Sequence, residues 1–126
     1  MIAVLQADHH TADLARMGLL TSLAVALHNL PEGFATFVAT LASPSAGIAI
    51  AVAIALHNIP EGIVVAMPMY YATKSRWKGL FWSFLSGVAE PVGGLLAYVI
   101  LASTGMSPLA FAVMFAFVAG MMVYIS

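Results

Sequence analysis

Two hexapeptides, His28-Asn29-Leu30-Pro31-Glu32-Gly33 and His57-Asn58-Ile59-Pro60-Glu61-Gly62, place the same imidazole, amide and carboxylate at the same offsets. On a helix, residues three and four apart are neighbours on one face. His28, Asn29 and Glu32 can therefore converge, as can His57, Asn58 and Glu61. A neutral imidazole nitrogen with hard oxygen donors suits a divalent cation such as zinc, ferrous iron, manganese, cobalt or cadmium, and it discriminates poorly among them. The chain has no cysteine, so thiolate catalysis, disulfides and sulfur-rich zinc sites are excluded. A third carboxylate, Glu90 in Ser86-Gly87-Val88-Ala89-Glu90-Pro91, follows Glu61 by 29 residues, the interval that also separates Glu32 from Glu61 and His28 from His57. Zinc usually takes about four donors and manganese or ferrous iron about six. Seven candidate donors, His28, Asn29, Glu32, His57, Asn58, Glu61 and Glu90, thus point to two adjacent ions bridged by carboxylates.

Each of these residues has a plainer reading. A lone intramembrane histidine is more often hydrogen-bonded packing than a ligand, and a lone proline is more often a kink, but the joint recurrence argues against both. Glu90 occurs once, and a protonated helix contact stands as its alternative. Met67, Met69, Met106, Met114, Met121 and Met122 read as apolar packing whose thioethers can touch a soft ion. Asp8, His9 and His10 read equally as a cation-capturing patch or a solvated loop.

The elements that must position these groups follow from composition. The chain has 126 residues, 63% hydrophobic and 7% charged, with mean hydropathy +1.03, whereas about a quarter of residues are charged in soluble domains. This is the composition of an all-α, polytopic transmembrane helix bundle. Four windows reach the roughly 20 apolar residues needed to cross a bilayer, at about 17–40, 45–71, 79–104 and 108–126. Residues 1–16, MIAVLQADHHTADLAR, are too polar for a cleavable signal peptide and are expected to form a cytoplasmic loop. Arg16 and the Lys74, Arg76 and Lys78 loop (72–78) fall on one side of the membrane, which the positive-inside rule makes cytoplasmic. Tyr70, Tyr71, Trp77 and Trp82 flank that loop as an interfacial belt. There is no basic tract of the kind nucleic acid requires, so the partners are the lipid bilayer and metal ions, and a homodimer is compatible with the chain.

Glu32, Glu61 and Glu90 lie inside the spans, and no basic residue lies there to pair with them. An ionised carboxylate at that depth costs at least about 2.5 kcal/mol. The helical rise of about 1.5 Å per residue puts His28, Glu61 and Glu90 each roughly 15–17 Å from the cytoplasmic end, near the middle of a layer about 30 Å thick. A shared midplane site follows, built by an inverted repeat on antiparallel helices. Pro31 and Pro60 cannot donate backbone hydrogen bonds and are expected to loosen each helix beside the polar groups, with Gly33 and Gly62 leaving room for close approach.

Three functions compete on these residues. The first is transport of divalent cations through the midplane site. The second is an intramembrane metallohydrolase, opposed by the lack of an HExxH pattern and of a separate base or oxyanion donors. The third is a proton-relay or structural subunit whose glutamates titrate without metal.

The two hexapeptides, with Ser86-Gly87-Val88-Ala89-Glu90-Pro91 and Ala119-Gly120-Met121-Met122-Val123-Tyr124-Ile125-Ser126, resemble the ZIP (Zrt-, Irt-like) divalent metal transporters, especially their bacterial ZupT-like branch. The resemblance identifies them with the fourth to seventh of eight transmembrane helices and implies that the first three and the eighth are absent here. It implies metal entry into the cytoplasm through a binuclear site of the seven residues above, with one helix bundle moving against another. It also implies a cytoplasmic position for residues 1–16 and 72–78, and location in the cell membrane.

Overall fold

The computed structural model describes residues 2–104 and 107–125. Met106, Ser126 and the side chains of Asp8, Met114, Met121 and Met122 lie outside the described residues. The described residues form five helices and no strand: α1 (Ile2–Ala42), α2 (Pro44–Thr73), α3 (Arg76–Gly87), α4 (Ala89–Thr104) and α5 (Pro108–Ile125). Pro44–Thr73 and Arg76–Ser103 are long and apolar enough to cross a membrane, by length and composition.

Two boundaries differ from the expectation. The stretch before residue 17 is the start of α1, which runs unbroken for 41 residues, about 60 Å at the helical rise. Hydropathy marks where the apolar surface ends, whereas the helix continues through Ala, Leu, Gln, Asp and Arg because no glycine or proline precedes Gly18. The third window is two helices, parted at Val88. There the Val88 N–H reaches Phe84 O at 3.0 Å and the Val92 N–H returns to Val88 O at 3.3 Å. Pro91 has no N–H to give Gly87, and Gly87 itself holds the helix weakly, so the ladder opens between them. Neither Pro31 nor Pro60 breaks its helix, since α1 and α2 run through them.

Connections are short. Ser43 alone separates α1 from α2, and its extended backbone and side chain cap Ala46 N–H ahead of Pro44 at the first helical position. Lys74, in the left-handed region at φ 55°, and Ser75 turn α2 into α3. Both turns force antiparallel neighbours. α1 is the central helix, packed on α2, α3, α4 and α5.

Burial is inverted relative to a soluble domain. His28, Asn29, Glu32, Ser22 and Ser86 are buried, while Leu27, Ile48, Leu56, Ile59, Ile63, Phe84 and Leu95 are exposed. Polar groups inside and a greasy outer surface are what lipid as solvent selects.

Packing between α2 and α3 depends on a missing side chain: a Cβ at Gly79 would lie 2.9 Å from Ala66 O, a backbone atom that cannot swing away. Gly79→Leu is expected to lower stability by about 1–3 kcal/mol through overpacking, read as a lower melting temperature in detergent micelles.

Candidate metal centre

His28 and His57 stand nearly equidistant from Ser43, 15 and 14 residues away, so the tight turn alone brings them to one depth. Glu32 lies four residues nearer the turn than His28, and Glu61 four residues farther from it than His57. Side chains lean toward the N-terminus of their helix. On antiparallel helices that makes Glu32 lean away from the turn and Glu61 toward it, each into the histidine layer from the opposite side. The backbones of the carboxylates therefore do not share one depth, but their oxygens meet.

The result is a compact cluster. Nε2 of His28 and Nε2 of His57 are 3.4 Å apart, and Glu61 Oε1 is 3.2 Å from each of them. Glu32 Oε1 is 3.2 Å from His28 Nε2 and 3.8 Å from His57 Nε2. Donors around a tetrahedral ion at about 2.0–2.1 Å are themselves about 3.3 Å apart, and the two Nε2 atoms and Glu61 Oε1 have that spacing, with Glu32 Oε1 beside the histidines. His28, His57 and Glu61 form a group able to hold a metal ion. The cluster is sealed on the α1 side, with Glu32 only 1% exposed, and half-open on the α2 side, where the His57 side chain is 36% exposed.

The two asparagines are oriented by the α3–α4 segment. Asn29 Nδ2 donates to Ser86 O at 3.2 Å, and Asn58 Nδ2 donates to Glu90 Oε2 at 2.6 Å. A carbonyl and a carboxylate only accept, so each amide must present its nitrogen there and its oxygen elsewhere. Among the described residues, Oδ1 of both asparagines, both oxygens of Glu32, Oε2 of Glu61 and Nδ1 of His28 are buried without a hydrogen-bond partner. Buried polar atoms are rarely left so. Six orphans in five adjacent residues, mostly acceptors, describe a place for a cation.

Glu90 joins the group through Asn58 rather than through a histidine. Its contact with the other candidates is the Asn58 hydrogen bond, and it lines a groove of about 510 Å³ with Gly33, Thr36, Phe37, Thr40, Pro91 and Gly94. Met67 is exposed, and Met69 is buried with its sulfur beside Gly18. His9 and His10 are exposed on α1. Ser86 is the residue that sequence reasoning left without a role: its carbonyl fixes Asn29. The signal was a serine one turn before Glu90 in an apolar run.

A family model described as ZIP zinc transporter matches residues 4–126. A curated relative named zinc transporter ZupT from Chlorobium chlorochromatii is 55% identical over 119 residues, 94% of this chain and 44% of the relative. One of the same name from Oceanobacillus iheyensis is 58% identical over 114 residues, 90% of this chain and 42% of the relative, and one from Chlorobaculum parvum 56% over 115, 91% and 42%. The chain thus spans under half the length of these relatives. No solved structure matches it.

The asparagine geometry has a consequence in metal-free protein. Asn29→Asp would set a carboxylate oxygen against Ser86 O, and it is expected to cost about 1–3 kcal/mol. A melting temperature in EDTA equal to the unchanged protein's would contradict the assigned amide orientation.

Proposed function

The chain belongs to the ZIP zinc transporter family, whose members are transporters rather than enzymes, and from that premise we propose that it carries the cation-binding part of a divalent metal uptake transporter. Zinc is the proposed cargo, with iron, manganese, cobalt and cadmium as competitors at the same donors. The single observation behind this reading is the convergence of His28, His57 and Glu61 at metal-ligand spacing, with Glu32 beside both histidines and buried carboxylate oxygens left without a hydrogen-bond partner.

We further propose a binuclear centre. The first ion takes the two Nε2 atoms and one oxygen from each of Glu32 and Glu61. The second oxygens of those carboxylates, both unpartnered, bridge to a second ion that Asn29, Asn58 and Glu90 complete. Two doubly charged ions then more than offset three carboxylates. The half-exposed His57 marks the side on which ligands exchange with water. Further chain, or a second copy in a homodimer, closes that side as access alternates. Arg16, Lys74, Arg76 and Lys78 orient the protein in the cell membrane with the α1 start and the α2–α3 turn in the cytoplasm.

Purified protein should retain zinc after dialysis, by elemental analysis, and Glu61→Ala or His28→Ala should lower zinc affinity by about an order of magnitude or more. Equal metal content in all three would overturn the site. In proteoliposomes, His57→Ala should abolish zinc uptake, whereas a proton path through the glutamates would survive it. Because neutral imidazole and ionised carboxylate bind metal, uptake of radiozinc should fall as the medium is acidified. Uptake that is flat or rising with acid would contradict direct ligation.

A further inference from the structure

The α1–α4 crossing is built at backbone contact. A Cβ on Gly33 would fall on the carbonyl of Glu90, and a Cβ on Gly93 would fall on the carbonyl of Leu30. Both glycines are buried. Leu30 and Gly33 on one helix, and Glu90 and Gly93 on the other, are each three residues apart, one helical turn. The two contacts therefore flank a single crossing point, and the obstruction on each side is main chain, which cannot rotate out of the way. Gly94 continues the contact, since its Cβ would lie 3.5 Å from Gly33 O.

This crossing sits beside Glu90. Glu90 lies two residues after Val88, where α3 gives way to α4 and Pro91 has no N–H to hydrogen-bond to Gly87. α4 packs mainly on α1. The Glu90 carboxylate arrives 2.6 Å from Asn58 on a third helix, α2, which leaves little tolerance for displacement.

We propose that Gly33 and Gly93 are positioning residues for Glu90: by letting α4 touch the α1 backbone, they deliver the Glu90 carboxylate to Asn58 and so complete the metal centre. The proposal rests on the metal-binding reading above. A methyl group at either position pushes α4 outward, and the Glu90–Asn58 hydrogen bond is the first contact to open. Groups that orient a ligand typically change metal affinity by about 10- to 100-fold when altered.

Zinc titration calorimetry on the whole protein in detergent tests it, with circular dichroism and size-exclusion profiles establishing the fold. Glu90→Gln, Gly33→Ala and Gly93→Ala should each weaken zinc binding by about 10- to 100-fold. The double variant Gly93→Ala with Glu90→Gln should bind no more weakly than Glu90→Gln alone, because the glycine acts through that carboxylate. Gly120→Ala, whose Cβ meets nothing within 4 Å, should bind as the unchanged protein does. Additive losses in the double variant would overturn the proposal, as would glycine variants that bind normally, a Glu90→Gln protein that binds normally, or failure of both glycine variants to fold. An unchanged protein that binds no zinc would instead overturn the metal-binding reading itself.

Discussion

Carboxylates buried without a cationic side chain set the terms for everything else in this molecule. Glu32 is 1% exposed, and among the described residues the charged or chargeable partners of Glu32 and Glu61 are the two histidines. The effective cost of burying an ion is several kcal/mol even after relaxation, and two nearby carboxylates also repel. On the proposed reading, the missing positive charge comes from outside the chain. The six unpartnered buried polar atoms are the same deficit counted in hydrogen bonds.

The fold follows from bringing those groups together. A single-residue turn at Ser43 makes α1 and α2 antiparallel at equal depth, and the lean of helical side chains then aims Glu32 and Glu61 at one histidine layer from opposite sides. The third strip of the site comes from a segment whose helix breaks at Val88, with Ser86 just before the break and Glu90 just after it. That stretch of chain offers a backbone carbonyl to Asn29 and a carboxylate to Asn58. Much of the remaining surface of α1 and α2, with Leu20, Leu23, Leu27, Ile48, Leu56, Ile59 and Ile63, is apolar and exposed, suited to lipid or to further helices.

Much of this was legible in the sequence because it is local or periodic. The spacing of His28 to Glu32 and of His57 to Glu61 is one helical turn, and the repeat about Ser43-Pro44 is an antiparallel pair written into the chain, so the meeting of these four side chains followed from helix geometry. Hydropathy likewise found the apolar runs. What it missed depends on other things. The helical character of residues 2–16 comes from propensity rather than apolarity. The break fell at Val88 and not at Pro31 or Pro60 because Pro91 has a glycine four residues before it, whereas Pro31 and Pro60 have leucines. The part played by the Ser86 carbonyl is a tertiary contact 57 residues apart in sequence, for which no local pattern exists. That Glu90 meets Asn58 rather than a histidine was not legible in its 29-residue interval, which gives depth but says nothing about rotation around the helix.

Anomalous diffraction from zinc-soaked crystals bears most directly on the central claim, that an external divalent cation neutralises these carboxylates. The account predicts a peak within bonding distance of His28, His57, Glu32 and Glu61, and a second toward Asn29, Asn58 and Glu90. Zinc found only at exposed groups such as His9 and His10, with the buried cluster empty at saturating metal, would contradict it.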